Sequence, residues 1–225
     1  MKNLYMIGGS KGGTGKTMVC MSMIDYMRTR GENVLLIETD TSNPDVAKAY
    51  AEVVKTETID LDEKDGWIVM LDTIEHHKDA TVIVNTAARN NLAVTEFGEI
   101  LNDNLNELKR KMTTLWVINR QRDSLELLRE FMETMTNSKT HVVRNAYFGN
   151  DDKFELYEKS KIKTSVEDAG GLSLTFPDLA DRVADELYSK RLRIEDAAKS
   201  MTIGNRAELQ RWRGEVKRMF DEVTK

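Results

Sequence analysis

The sequence predicts an α/β fold in which a mostly parallel sheet has helices on both faces, with a helical C-terminal part over residues 178–225. Short, continuous apolar runs such as residues 34–37 and 82–84 have the pattern of strands that are buried on both faces. These runs alternate with longer segments of helical periodicity, whereas the chain after Pro177 has helical patterns alone. Because no linker or internal repeat interrupts the chain, we expect residues 1–225 to form a single domain.

The alternation of patterns defines the elements in order. Strands are predicted over residues 3–8, 33–38, 81–86, 114–119, 140–146 and 171–176. Helices are predicted between them, over residues 16–30, 43–54, 66–77, 93–110, 123–136 and 151–159, and after them over residues 178–190, 194–200 and 205–223. The stretch 57–65 contains five acids and one lysine, and we expect it to be a solvated loop.

Composition excludes several classes of protein. The net charge of −5 and the pI of about 5.4 exclude a globally basic nucleic-acid binder, although a local basic patch remains possible. The single cysteine, Cys20, excludes a disulfide framework and a cysteine-rich zinc site within one chain. The sequence has no run of about 18 apolar residues, which is the length needed to span a membrane, and no secretory leader is visible. We therefore expect a cytoplasmic protein.

The strongest functional signal is the glycine-rich run over residues 8–17, which reads GGSKGGTGKT between the first strand and the first helix. Glycines let successive backbone N–H groups point at phosphate oxygens, and the helix that follows adds the positive end of its dipole. This context predicts a P-loop NTPase that binds ATP or ADP with Mg²⁺, with Lys16 on the β- and γ-phosphates and the Thr17 hydroxyl on the metal. The predicted phosphate-binding residues are Gly9, Ser10, Lys11, Gly12, Gly13, Thr14, Gly15, Lys16, Thr17 and Met18. The alternative is a glycine-rich turn with this spacing by chance.

Lys11 gives the loop a narrower identity. The run from Lys11 to Thr17 resembles the deviant Walker A signature of the ParA/MinD ATPases. The resemblance implies that Lys11 reaches across a homodimer interface to the phosphates of the partner's nucleotide, and hence that the chain dimerises on ATP. The alternative is that Lys11 is a solvated loop lysine.

Polar residues at two strand ends complete the predicted site. Glu38 and Asp40 follow the second strand, at the sheet edge where open α/β sheets bind ligands. Relatives have Asp-x-Asp here, and the resemblance implies that Asp40 positions the attacking water or a metal-bound water. At the end of the third strand, Asn85 stands where relatives have the Walker B aspartate. An amide can accept a hydrogen bond from a magnesium-bound water but brings no charge, so we expect weak Mg²⁺ binding and slow hydrolysis. Solvated strand-end acids are the alternative for Glu38 and Asp40.

The resemblance also implies an adenine site. It suggests that Asn145 lies near the base and that the turn at Phe176, Pro177 and Asp178 closes over the base from the other side. A loop-capping role for Asn145 is the alternative.

The second half of the chain carries a further resemblance. Residues 145–149, 153–157 and 192–197, together with a basic final helix, look like the TraL/MobD-type ATPases of conjugative and mobilisable plasmids. This similarity implies a role in plasmid DNA transfer or maintenance, with DNA or relaxosome proteins as partners.

The last helix allows more than one role. It has an apolar stripe formed by Leu209, Trp212, Val216, Phe220 and Val223, with Arg211, Arg213, Lys217 and Arg218 largely outside it. The helix could pack on the domain, or its basic residues could bind DNA phosphates. A membrane-lying helix is disfavoured because Glu208, Glu215, Asp221 and Glu222 would be repelled by anionic lipid.

Three hypotheses for function follow. The first is a slow ATP hydrolase in which Lys11, Lys16 and Asp40 serve catalysis and Thr17, Asp40 and Asn85 hold Mg²⁺, with Asn85 acting through water. The second is a nucleotide-gated adaptor with little turnover. The third is a membrane positioner of the MinD type.

Overall fold

The computed structural model describes residues 1–10 and 12–224. Over these residues, seven parallel strands form one sheet in the order β3-β2-β4-β1-β5-β6-β7. The strands are β1 (Lys2–Gly9), β2 (Val34–Glu38), β3 (Lys55–Thr58), β4 (Thr81–Asn85), β5 (Arg110–Ile118), β6 (Lys139–Asn145) and β7 (Ser173–Phe176). The predicted fold class is confirmed, and the strand that carries the glycine-rich loop lies at the centre of the sheet.

Eleven α-helices surround this sheet in the described part of the chain. They are α1 (Lys16–Thr29), α2 (Asp45–Tyr50), α3 (Lys64–His76), α4 (Asn91–Phe97), α5 (Glu99–Asn104), α6 (Asp123–Thr134), α7 (Glu155–Glu158), α8 (Lys161–Asp168), α9 (Asp181–Ser189), α10 (Ile194–Ser200) and α11 (Ile203–Val223). None of them is long and apolar enough to cross a membrane.

The two faces of the sheet bury two separate apolar cores. Successive residues of a strand point to opposite faces, so Tyr5 and Ile7 enter one core and Leu4 and Met6 enter the other. Helices α1, α2, α9, α10 and α11 cover the first face, and helices α3 to α8 cover the second. Because both faces are covered, the central strands are the continuous apolar runs that the sequence shows.

The C-terminal helices belong to the first core. The apolar stripe of α11 was predicted correctly, because Leu209, Trp212, Val216 and Phe220 are buried in the same core as α1. The buried carboxylate of Asp25, on α1, also accepts two hydrogen bonds from Arg213, at 2.9 and 3.0 Å. Residues 181–223 therefore contribute helices that cover the sheet.

Three predictions about the elements are wrong, each in a segment rich in charged residues. Strand β3 was missed: it begins just after the predicted helix 43–54 and includes the first two residues of the predicted loop 57–65, and as an edge strand it needs no apolar run. The predicted helix 93–110 is instead two helices, α4 and α5, of which the second ends at Asn104. A turn follows, in which Lys109 has a left-handed φ of 53°, and the chain enters β5 at Arg110. Helix α8 was missed, and Ser160 begins it by accepting a hydrogen bond from the Lys163 N–H.

Candidate nucleotide site

The glycine-rich loop joins β1 to α1 at the carboxyl edge of the sheet. Gly13 and Gly15 have left-handed φ angles of 78° and 102°, which explains why glycine is needed at both positions. Gly15 immediately precedes α1, so the amino end of this helix faces the space enclosed by the loop. Backbone N–H groups and the positive end of a helix dipole thus converge on one point, which is the requirement for binding a phosphate.

Ser10 links the start of the glycine-rich loop to a helix that is distant in sequence. Its hydroxyl lies 2.7 Å from the Ser124 hydroxyl, and Ser124 in turn donates to the Asn119 side-chain oxygen at 3.0 Å. Since the Ser124 proton is used on Asn119, Ser10 is the donor to Ser124. A glycine at this position could not make that bond, so the serine ties the start of the loop to the amino end of α6.

Asn145 fastens the far end of the same loop. Its side-chain N–H donates to the Thr14 carbonyl at 2.9 Å, and its side-chain oxygen accepts from the Tyr147 N–H at 3.1 Å. A methyl group at Gly15 would lie 2.3 Å from this amide nitrogen. Asn145 therefore has the loop-capping contacts that the sequence left open as an alternative, and it also lines the cavity described below as the base cavity.

A cavity of about 320 Å³ lies against the glycine-rich loop and is called here the phosphate cavity. The predicted site residues that line it are Gly12, Gly13, Gly15, Lys16, Thr17, Asp40 and Asn85. Lys16 is only 8% exposed, and burial lowers its pKa to about 8, while the charge of Asp40 partly offsets this shift. An anionic ligand in this cavity would stabilise the charged form of the lysine.

Asp40 is held by its own loop and by Arg89. Its carboxylate accepts hydrogen bonds from the Ser42 hydroxyl at 2.6 Å and from the Asn43 N–H at 3.1 Å, and Arg89 lies 3.6 Å away. Burial raises the pKa of Asp40, but these bonds and the Arg89 charge outweigh it and hold the pKa below its ordinary value. Asp40 is therefore an ionised acceptor at the mouth of the phosphate cavity.

Arg89, which the sequence did not single out, connects three parts of the site. Besides Asp40, its guanidinium contacts Asp62 and lies 3.8 Å from Asp60. Both of these acids lie in the stretch 57–65, so this segment is tied to the site and is more than the solvated loop that was predicted. The position of Arg89, just after β4 at the carboxyl edge of the sheet, is the signal that could have identified it.

Glu38 and Asn85 face each other at the ends of β2 and β4. The Asn85 side-chain N–H group donates to both carboxylate oxygens of Glu38, at 2.9 and 3.2 Å. Glu38 is fully buried, and this burial raises its pKa to about 7 despite hydrogen bonds from the Asp40 N–H and from Asn85. The side-chain oxygen of Asn85 is buried and has no hydrogen-bond partner among the described residues.

A second cavity, of about 340 Å³, adjoins the first and is called here the base cavity. The predicted site residues that line it are Gly13, Gly15, Met18, Asn145, Pro177 and Asp178. Phe176 and Trp212 add aromatic surface, and the Trp212 N–H donates to the Pro177 carbonyl at 2.8 Å. Gly13, Gly15 and Tyr188 line both cavities, so the two form one continuous cleft along the glycine-rich loop.

The structure thus brings most of the predicted site residues together. The exceptions are three loop residues that line neither cavity, which are Gly9, Ser10 and Thr14. Lys11 lies outside the described residues. Tyr188 was missed because it belongs to a helix that is distant in sequence and has no motif. A larger cavity of about 600 Å³ lies elsewhere, lined by residues such as Lys2, Leu71 and Lys109, and it includes no part of the loop.

The residues at the phosphate cavity fit a magnesium ion. Thr17, Asp40 and Asn85 offer a hydroxyl, a carboxylate and an amide oxygen, and Mg²⁺ prefers oxygen ligands and retains several of its waters. The unpartnered amide oxygen of Asn85 is a buried acceptor for which a metal-bound water would supply the missing donor.

The basic residues of α11 form ion pairs within the chain. Arg211 contacts Glu208 and Glu215, Arg213 contacts Asp25, and Lys217 contacts Asp221. Of the four basic residues that the sequence singled out, Arg218 alone has no ion pair in the part of the chain that the structure describes. These ion pairs partly neutralise the basic groups that DNA binding by the helix would use.

The sequence matches a family of nucleotide-binding domains and a curated relative. The sequence model of the family described as "CobQ/CobB/MinD/ParA nucleotide binding domain" matches residues 5–161. The chain is also 59% identical over 222 residues to protein MobD of Acidithiobacillus ferrooxidans, and the match covers 99% of this chain and 98% of that protein.

Solved structures resemble this fold over the whole chain. The cell division ATPase MinD of Pyrococcus furiosus matches with a TM-score of 0.60 and 14% identity over 100% of both chains. The septum site-determining protein MinD of Pyrococcus horikoshii, solved in complex with Mg-ADP, matches with a TM-score of 0.59 and 15% identity over 100% of this chain and 97% of that one. At such low identity the likeness concerns the fold.

Proposed function

The chain belongs to the CobQ/CobB/MinD/ParA nucleotide-binding family, and we propose that it is a Mg²⁺-dependent ATPase switch in plasmid mobilisation or transfer. The single observation that carries the nucleotide part of this proposal is the continuous cleft along the glycine-rich loop. One half has the lysine, hydroxyl and carboxylate groups suited to phosphates and Mg²⁺. The other half has the aromatic and polar groups suited to a base. The similarity to a MobD protein supports the plasmid part.

Each residue of the site has a separate role in the proposed phosphoryl transfer. Lys16 and the loop N–H groups bind the phosphates, Thr17 binds Mg²⁺, and Asp40 orients the attacking water. A magnesium ion held by Thr17, Asp40 and, through water, Asn85 would supply charge neutralisation for the phosphates. The site needs little covalent chemistry, because positioning and charge stabilisation account for most of the catalysis of phosphoryl transfer.

Nucleotide binding is tested with Lys16→Ala. We expect the wild-type chain to bind a fluorescent ADP or ATP derivative in Mg²⁺ and the variant to bind neither, since the buried lysine faces the phosphate cavity. Lys190→Ala is a matched control, because it removes an exposed lysine whose ion-pair partner is Glu186, and neither residue lines either cavity. Wild-type affinity retained in Lys16→Ala would contradict the proposal.

The dimer part of the proposal concerns Lys11. We propose that ATP brings two copies together and that Lys11 of each copy contacts the nucleotide of the other. The molar mass in solution should double in Mg-ATP and not in Mg-ADP, and Lys11→Ala should keep nucleotide binding but lose the doubling. An unchanged mass of the wild-type chain in Mg-ATP would refute the dimer.

A nucleotide-gated adaptor with little turnover is the second candidate, and Asn85 favours it. This residue lines the phosphate cavity with a neutral amide where relatives have an acid, so metal binding and hydrolysis would be weak. Phosphate release at the same rate as that of the Lys16→Ala variant would support the adaptor. Release well above that rate would support the ATPase.

Helix α11 indicates which kind of partner the chain binds. Because most of its basic residues form ion pairs within the chain, we expect a protein of the transfer machinery rather than bare DNA. Binding to non-specific duplex DNA, measured in Mg-ATP and Mg-ADP at two salt concentrations, tests this. Salt-sensitive binding that requires ATP would reverse the expectation. The burial of the apolar face of α11 gives no support to a membrane-lying helix.

A further inference from the structure

The pair formed by Glu38 and Asn85 has a geometry that sequence comparison alone would miss. The two residues are direct neighbours in the ladder between β2 and β4. The Asn85 amide nitrogen lies 2.9 and 3.2 Å from the two carboxylate oxygens, and the Asp40 N–H donates to the nearer one at 3.0 Å. Glu38 is fully buried and Asn85 is 5% exposed, so water does not compete for these bonds.

This contact fixes which end of the Asn85 amide faces which neighbour. The Asn85 side-chain N–H group donates to both oxygens of Glu38, so the nitrogen end of the amide faces Glu38. The amide oxygen then lies on the side away from Glu38. There it is buried without a partner among the described residues. Asn85 as a residue lines the phosphate cavity together with Lys16 and Thr17. A buried acceptor of this kind is destabilising unless a donor is supplied.

We propose that Glu38 and Asn85 act as one unit that replaces the missing Walker B carboxylate, an inference that rests on the proposed function of this site. Glu38 holds the Asn85 amide in one orientation, and the amide oxygen would accept a hydrogen bond from a magnesium-bound water. Glu38 is therefore a positioning residue, which acts on the metal through Asn85.

The proposal makes a specific prediction about charge exchange. Glu38→Gln keeps the shape of the side chain but removes the charge and lets the amides pair in either orientation. Asn85→Asp removes the N–H group from which Glu38 accepts both hydrogen bonds, so it breaks the pair instead of improving it. The double variant Glu38→Gln/Asn85→Asp restores a single carboxylate beside a single amide, with their positions exchanged.

The test measures how strongly Mg²⁺ improves nucleotide binding, without using hydrolysis. The probe is a fluorescent derivative of ADP, titrated in EDTA and in saturating Mg²⁺, and the ratio of the two dissociation constants is the Mg²⁺ effect. We expect Glu38→Gln to reduce this effect by at least about tenfold, while its affinity in EDTA stays near that of the wild type. The exchanged double variant should recover most of the loss. Glu57→Gln, an acid on the neighbouring strand that lines neither cavity, should leave the effect unchanged.

The outcomes separate this inference from the function on which it rests. A wild-type chain that binds no nucleotide would remove the proposed function itself. A Mg²⁺ effect in Glu38→Gln equal to that of the wild type would overturn the pairing alone. If Glu38→Gln does not fold, as judged by thermal unfolding in EDTA, Asn85→Asp decides. The pairing requires no gain in the Mg²⁺ effect, whereas a gain of about tenfold would mean that position 85 simply lacks an acid.

Discussion

Replacing Gly15 with alanine tests whether the glycine-rich loop depends on its left-handed backbone and on its contact with Asn145. The φ of 102° at Gly15 costs an alanine roughly 1–2 kcal/mol. The added methyl group would lie 2.3 Å from the Asn145 amide nitrogen and would displace it from the Thr14 carbonyl. That buried hydrogen bond contributes about 1 kcal/mol. The two costs together predict a loss of about 2–3 kcal/mol in the free energy of unfolding.

The assay is urea unfolding without nucleotide, and the loop itself offers matched controls. A methyl group at Gly12 would meet no atom within 4 Å, and its φ is not left-handed, so Gly12→Ala should be nearly neutral. Gly13→Ala also has open space but a φ of 78°, so it should show the backbone cost alone. The expected order of destabilisation is Gly12→Ala, then Gly13→Ala, then Gly15→Ala.

A double-mutant cycle isolates the contact with Asn145. Asn145→Ala alone should cost about 1 kcal/mol, but it should add little to Gly15→Ala, because that variant has already lost the same bond. Additive losses of unfolding free energy for Gly15→Ala and Asn145→Ala would contradict this shared contact. A Gly15→Ala variant as stable as Gly13→Ala would contradict it as well. Fluorescent ADP binding to the same variants would then show whether the strained loop also binds phosphate less tightly.

Three further predictions concern the supports of the site. Arg213→Ala leaves the buried Asp25 carboxylate without its partner and should lower the free energy of unfolding by about 3 kcal/mol in urea unfolding, more than Asp25→Asn/Arg213→Met does. Burial lowers the pKa of His141 to about 4, so the folded chain binds fewer protons than the unfolded chain between pH 4 and the ordinary value of 6.5. The contribution of His141 to the free energy of unfolding is thus complete above pH 6.5, and it falls by about 3 kcal/mol as the pH drops to 4. In urea unfolding at several pH values, the His141→Asn variant should not show this loss. Trp212→Phe removes the N–H bond to the Pro177 carbonyl and should cost about 1 kcal/mol and weaken fluorescent ADP binding, whereas unchanged binding would argue against a base in that cavity.

The parts of the fold that could be predicted are those encoded by neighbouring residues. A glycine-rich loop between a strand and a helix is one contiguous segment, and strands buried on both faces must be apolar throughout. The parts that were missed have no such local signal. Strand β3 pairs at the sheet edge and has few apolar residues. Strand β5 begins at Arg110, a charged residue that can be buried because its guanidinium donates hydrogen bonds to the carbonyls of Ile74, His77 and Ala80.

The sequence by itself determined the class of fold, the glycine-rich loop and the identity of the groups that could bind a nucleotide. Tertiary structure decided how those groups are used. It placed Asn145 on the Thr14 carbonyl, Arg89 beside Asp40, and Glu38 against Asn85. Each of these contacts joins segments far apart in the chain, and each depends on strand order and register, which set which side chains meet at the carboxyl edge. A hydrogen bond needs its donor and acceptor within about 3 Å, and only the packed sheet brings such groups that close.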